Sequence, residues 1–364
     1  MEPDSVTLDL SAPVADLARQ LIDIPSVSGD EKAIADAVEA ALRTAPHLEV
    51  LRDGDAVLAR TSLGRAKRVI VAGHLDTVPI KGNVPAREDD GLLIGRGSVD
   101  MKAGVAVALH LAVRLTAPVH DVTWIFYDHE EVESVLNGLG RVARNHPQWL
   151  EGDLAILGEP TSGGIEGGCN GTLRADVRIP GVAAHSARAW KGVNAIHRAA
   201  ALLAALAAHS PETVLVDGLE YREGLNAVGI RGGIAGNVIP DECTVTINFR
   251  FAPSRTPDAA KAWFEQFVAG AGLEQYAVTF TDLAGGARPG LDDPLAQSLV
   301  RAVGAEPTAK VGWTDVARFG ELGIPAVNFG PGDPLLAHAD HEACPIDQID
   351  SCAAALAAWL TEGE

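Results

Sequence analysis

The chain has 364 residues, 47% of them hydrophobic and 21% charged, with a formal net charge of −20 at pH 7. That length exceeds one typical core, so two domains are expected, and the apolar content fits a well-buried fold rather than a disordered chain. The acidic balance argues against a nucleic-acid partner or an anionic membrane, and any anionic substrate must meet locally placed Arg or Lys.

Cys169, Cys243, Cys344 and Cys352 stand far apart with no C-x-x-C pair, which suits a reducing cytoplasm and offers no thiolate metal site. Glu2, Asp4 and Asp9 stand where a signal peptide would carry a basic and then an apolar region, so none is expected. The alanine-rich 199–208 segment falls short of the roughly 18 apolar residues that a membrane span needs. A soluble cytoplasmic protein is therefore expected.

In chain order, 13–23 reads as a short helix with Val14, Leu17, Leu21 and Ile22 on one face. Ser28-Gly-Asp-Glu31 has capping-box spacing and opens a second helix, striped by Ile34, Val38, Ala41 and Leu42. Strands come next near 49–60 and 68–73. The latter contains the β-branched run Val69-Ile-Val-Ala72, read as a buried strand that stops at Gly73. His74 and Asp76 lie just beyond and share one side of the extended chain. They sit at a strand's carboxyl end, where open α/β sheets place ligands. Imidazole is a common metal ligand whose second nitrogen usually donates to a carboxylate, and Asp76 is placed to be that group. A histidine capping a turn has the same local pattern.

A loop (80–91), the strand Leu92–Ile94 and a glycine-rich stretch bearing Asp100 lead into an apolar helix over Val105–Leu115. The strand Val122–Tyr127 ends at Asp128-His-Glu-Glu131, and Leu154–Leu157 ends at Gly158-Glu159. Strand and helix alternate with acids at strand ends, the pattern of an α/β sheet. From about 173 the rhythm changes. Strands at Leu173–Ile179, Gly224–Gly233, Cys243–Phe251 and Tyr276–Asp282 and helices at 193–209 and 257–269 form a separate α+β layer. Pro289-Gly290 marks the return to helix 292–302, a strand–helix unit around Lys310–Leu322, strand Pro325–Phe329 and a terminal helix over 347–361. The expected class is α/β: a mixed, mostly parallel sheet flanked by helices in a discontinuous domain (1–173 and 288–364), interrupted by an inserted α+β domain (174–287).

Collected, the strand-end groups are His74, Asp76, Asp100, Glu130, Glu131 and Glu159, with His338 added from Leu336-Ala-His-Ala-Asp-His-Glu342. Each alone is commonplace: adjacent glutamates are usually a solvated face, and a loop histidine is usually just that. Together, two histidines and several carboxylates without cysteine suit a two-metal hydrolytic site, with zinc the expected occupant. A carboxylate can bridge two ions through its two oxygens; an imidazole does not readily do so.

The motifs Gly73-His-Leu-Asp76-Thr-Val-Pro, Gly95-Arg-Gly-Ser-Val-Asp100-Met-Lys-Ala-Gly, Glu130-Glu131, Gly158-Glu159-Pro-Thr and the late His338 resemble the M20 metallopeptidases, a superfamily of dinuclear zinc aminoacylases and carboxypeptidases. The resemblance spans essentially the whole chain and implies a lid and dimerisation role for the inserted domain. It implies one metal held by His74, Asp100 and Glu159 and a second held by Asp100, Glu131 and His338, with Asp100 bridging two Zn2+ for which Co2+ could substitute. His341 is the alternative to His338. Asp76 becomes the orienter of His74, and Glu130 the base that takes a proton from the attacking water and returns it to the departing amine. Gly181-Val-Ala-Ala-His185 resembles the histidine that reaches across a homodimer to steady the oxyanion. Asn237, Arg250, Arg188 and Thr314 become residues bordering the substrate.

Ala155-Ile-Leu-Gly-Glu-Pro-Thr161, Cys169-Asn-Gly-Thr-Leu173, Ala184-His-Ser-Ala-Arg188, Gly236-Asn-Val-Ile-Pro240 and Gly312-Trp-Thr-Asp-Val-Ala-Arg-Phe319 narrow the resemblance, with Asn328-Phe-Gly-Pro-Gly-Asp333. They are similar to the branch that hydrolyses N-succinyl-LL-2,6-diaminopimelate, a small acylated amino acid of lysine and peptidoglycan-precursor synthesis. Two features depart from the family pattern. The acid pair is preceded by His129 and followed by Val132, where the family has Asp and Gly, which leaves the register of base and ligand open. Asn170 stands near where other branches carry an arginine, so Arg250, Arg188, Arg174 and Arg318 are the candidates to grip the succinyl carboxylate. Acetylornithine deacetylase and M20 dipeptidase or carboxypeptidase activity are the alternatives, and a catalytically silent binding protein of the same fold is the alternative of another class.

Overall fold

The computed structural model describes residues 6–273 and 275–362, so Glu2 and Asp4 lie outside the described residues. The chain divides into two compact units. The first is built from the chain up to Gly168, from Pro289–Thr308 and from Thr314 onward; the second comprises Cys169–Arg288 and Ala309–Trp313.

The first unit contains a helix-flanked sheet whose first seven strands run in the order Glu49–Asp53, Ala56–Arg60, Asp121–Tyr127, Arg68–His74, Leu154–Leu157, Ala326–Asn328, Glu166–Gly167. The four from Asp121–Tyr127 to Ala326–Asn328 are mutually parallel, and their neighbours on either side pair antiparallel. The expected mixed, mostly parallel sheet is what is observed. Both faces of these strands are buried, which explains their near-continuous apolar runs. Val69 and Val71 join one core with Trp124, Phe126 and Ile156, under helices Val14–Ile22, Lys32–Arg43, Lys102–Arg114 and Ile346–Glu362. Ile70 and Ala72 are buried on the opposite face, where helices Gly138–Asn145 and Val316–Glu321 lie against the sheet.

Arg68–His74 is the strand from which the chain departs to both sides, first to Asp121–Tyr127 and then to Leu154–Leu157. This is a topological switch point, and the crevice at its carboxyl end is where such sheets place ligands.

The second unit is a four-stranded antiparallel sheet in the order Gly224–Gly232, Glu242–Phe251, Gly171–Pro180, Ala277–Ala284. Helices Ala195–Ala208 and Pro257–Gly270 cover one face, on which Leu173, Ala175, Val177 and Ile179 alternate with outward polar residues. A domain division at 173/174 would cut the strand Gly171–Pro180, and the compact unit begins at Cys169 instead.

One local expectation is corrected. Ser28 does not cap the second helix: Glu31 occupies the N-cap position without a side-chain capping bond, while the Ser28 hydroxyl donates to Asp76 Oδ2 at 2.6 Å. A buried carboxylate elsewhere outcompetes the local amides for that hydroxyl. The hairpin Thr213–Val216 with Leu219–Arg222 was not foreseen, although its turn, Asp217-Gly218, has positive φ at both residues and is a strong hairpin signal.

Candidate metal centre

Three of the four parallel strands deliver acidic or imidazole side chains as they end. Arg68–His74 closes on His74, which is almost fully buried. Asp121–Tyr127 runs into Glu130 and Glu131, and Leu154–Leu157 into buried Glu159. Gly158 is wedged between backbones: a Cβ on Gly104 would lie 2.0 Å from its carbonyl oxygen, and one on Gly330 would lie 2.4 Å away. Only glycine allows that approach, and it sets where Glu159 emerges.

Asp100 stands at the entrance to helix Lys102–Arg114 and faces an imidazole with each carboxylate oxygen. Oδ1 is 3.1 Å from His74 Nε2, and Oδ2 is 3.3 Å from His338 Nε2. His338 Nε2 also lies 3.0 Å from Glu131 Oε1. Donor atoms of His74, Asp100 and Glu131 all lie within 4.8 Å of one another. Atoms that share one tetrahedral ion stand about 3.3 Å apart, given bonds of roughly 2.0–2.2 Å. The contacts of 3.0–3.3 Å fit ligation of a metal cation by these groups.

Asp76 does more than orient an imidazole. His74 Nδ1 lies 3.0 Å from the Asp76 backbone carbonyl and 3.5 Å from its carboxylate. That carboxylate accepts the amides of Glu130 and Glu131, each at 3.0 Å, besides the Ser28 hydroxyl. One buried aspartate thus fixes both the histidine and the acid pair.

The electrostatics describe a cluster short of positive charge. Burial works against a charged His74, yet hydrogen bonds to Asp100 and Asp76 hold it well above the ordinary imidazole range. Hydrogen bonds to Asp100 and Glu131 raise His338 to about 10. Burial opposes ionisation of Asp76, but His74, Ser28 and the Glu130 amide bring it down to about 2. Glu130 moves the other way: burial raises it well above the carboxylate range, His74 opposes this, and Glu159, Asp315 and Glu131 add to it. Carboxylates outnumber imidazoles here, so an N/O donor set with excess negative charge fits divalent cations.

The model of peptidase family M20/M25/M40 matches residues 70–362. The chain belongs to that family. A Corynebacterium glutamicum relative named succinyl-diaminopimelate desuccinylase is 49% identical over 361 residues, covering 98% of both chains. A Mycobacterium tuberculosis protein provisionally given the same name is 53% identical over 354 residues, covering 97% of this chain and 99% of the relative. Among solved structures, a tripeptidase from Staphylococcus aureus superposes with a TM-score of 0.79 at 20% identity and covers 98% of each chain. That likeness carries the fold alone.

Family membership does not place every expected site residue. Both late histidines are exposed, and His338 reaches Asp100 and Glu131. Thr314 is buried, and its hydroxyl donates to Asn328 Oδ1 at 2.9 Å. Arg318 is engaged by Asp315 and the Ser134 hydroxyl, and Arg174 pairs with Asp282. In the second unit, His185 is exposed in a short ribbon opposite Val238, and the Ser186 amide donates to the Asn237 carbonyl at 2.8 Å. His185 Nδ1 accepts the Ala187 amide at 3.1 Å. Arg188 is exposed in the adjoining turn, and Arg250 donates to Asn248 Oδ1 at 3.2 Å near the end of its strand.

Proposed function

We propose that the chain hydrolyses the succinyl amide of N-succinyl-LL-2,6-diaminopimelate to succinate and LL-2,6-diaminopimelate, as a homodimer in the cytoplasm. The observation that carries the hydrolytic reading is Asp100, whose two oxygens each face a different imidazole. The acyl group is inferred from the two relatives of that name, which match nearly the whole chain. Cys243, Cys344 and Cys352 are buried free thiols, which supports a reducing compartment. Among the described residues, no helix is long and apolar enough to cross a membrane.

His74, Asp100 and Glu159 would hold one ion, and Asp100, Glu131 and His338 the other. Zinc suits this cysteine-free set of imidazoles and carboxylates, with cobalt an acceptable substitute. When bound, such a pair supplies Lewis acidity, making water a nucleophile at neutral pH and polarising the amide carbonyl. The remaining work belongs to the chain. Glu130 accepts the proton of the attacking water and passes it to the departing amine. His185 of a partner subunit steadies the oxyanion. Arg250, Arg188 and Asn237 meet the polar ends of the substrate, and the second unit serves as lid and dimerisation domain.

The test is hydrolysis of N-succinyl-LL-diaminopimelate beside N-acetylornithine, before and after chelation. Turnover of the succinyl substrate should disappear with chelator and return with Zn2+. Faster hydrolysis of N-acetylornithine would replace the proposed substrate, and activity indifferent to chelator would remove the metal reading.

A further inference from the structure

The stretch Gly95–Asp100 carries the carboxylate that both ions would share, yet it forms neither helix nor strand. One distant side chain holds its amides. Buried Glu342 accepts from Gly97 N at 3.1 Å through Oε2, and from Val99 N at 2.8 Å and Asp100 N at 3.0 Å through Oε1. Buried Arg96 donates through Nη1 to the same Oε2 at 2.9 Å and to the Ala339 carbonyl at 3.2 Å. The Gly95 amide donates to the Glu342 carbonyl at 3.2 Å. These bonds fasten the segment 338–342, which bears His338, to the loop that bears Asp100.

A buried ion pair returns little net stability, because desolvating both charges offsets their attraction. Stability alone is thus a weak reason for an Arg and a Glu to be buried here. Their placement coincides with a division in the ligand set. His74 and Glu159 sit at ends of parallel strands, and Glu131 is held by Asp76. Asp100 and His338 lie on irregular backbone, His338 at φ +64°, and the Arg96–Glu342 pair joins their two segments.

We propose that Glu342, with Arg96, is a positioning residue for the cation held by Asp100, Glu131 and His338. This rests on the metal reading above. It implies selectivity: loosening the clamp weakens that cation's site and largely spares the one that also uses His74 and Glu159.

The experiment is calorimetric titration of the full-length, chelator-stripped chain with Zn2+, on the wild type, Glu342→Gln and Arg96→Lys, each checked for folding by circular dichroism. Glu342→Gln turns an amide NH2 toward donors that need an acceptor. It should keep one site near wild-type affinity and weaken the other by about 10–100-fold, the usual consequence of losing a group that orients a ligand. Arg96→Lys keeps the charge but loses the planar guanidinium that fills this buried site, so it should weaken the same site by a smaller factor. Unchanged affinities in folded variants, or equal weakening of both sites, overturn the proposal. If Glu342→Gln does not fold, Arg96→Lys decides by the same criterion. A wild type that binds fewer than two ions overturns the metal reading and this inference with it.

Discussion

Glu130 and Glu131 are neighbours in sequence with their amides on the two oxygens of one carboxylate, yet only Glu131 reaches His338. The proposed division of labour gives Glu131 a cation and Glu130 a proton. Glu130→Gln preserves shape and removes the proton acceptor. Zinc content measured by atomic absorption should stay at the wild-type level, while kcat falls by about 10²–10⁴-fold. A variant that keeps its turnover removes Glu130 as base. The two late histidines separate in the same way: His338→Ala should lower the zinc stoichiometry and His341→Ala should not. His74, Glu131 and Glu159 were legible in the sequence because a strand of period two ends at a definable residue, and the side chains just past that end stand at the sheet's rim. Glu342 was not legible as a clamp, since its bonds reach across 242 to 246 residues and no local pattern announces them.

At the scale of elements, β-branched runs and apolar stripes marked the strands and helices, and one kind of miss falls where a distant group competes for a local signal. Ser28 is one, drawn from its helix to Asp76. Asp121 shows the same competition working for the fold. From the start of the strand Asp121–Tyr127 it accepts the Thr61 hydroxyl at 2.8 Å and the amides of Leu63 at 2.8 Å and Arg65 at 2.9 Å, tying the 61–67 connection to the sheet. Burial pushes its pKa up, but these bonds win and hold it below the ordinary carboxylate value. A depressed folded pKa gives stability that is present above the unfolded value and lost as pH falls through the folded one. Asp121→Asn should therefore cost about 1–3 kcal/mol in urea unfolding at pH 7. The gap between variant and wild type should shrink below roughly pH 4. A gap independent of pH would mean that shape rather than charge does the tying. Gly104→Ala tests backbone contact instead. Its methyl would meet the Gly158 carbonyl, so a loss of about 1–3 kcal/mol together with weaker zinc binding through Glu159 is expected.

At the scale of the molecule, the proposed mechanism needs two copies of the chain, and the second unit has a surface suited to pairing. Strand Gly224–Gly232 ends its sheet, with Val228 59% exposed and Ile230 51% exposed. Ile234, just beyond, is 85% exposed. An edge strand with uncovered apolar side chains is a ready template for a second chain, and natural proteins rarely leave one bare. If His185 serves the partner's active site, defects in Glu130 and His185 should complement each other. Glu130→Gln and His185→Ala chains, each inactive alone, are co-expressed with different tags, and mixed dimers are isolated through both. Acting across the interface, the intact His185 of one chain meets the intact Glu130 of the other, and each mixed dimer regains one working site of two, roughly half the wild-type turnover. Acting within its own chain, His185 leaves both sites defective and the mixed dimer dead. Sedimentation of Ile230→Glu tests the pairing surface itself: a monomer that has lost turnover while binding zinc normally is the outcome required if the lid unit both joins the copies and delivers the histidine.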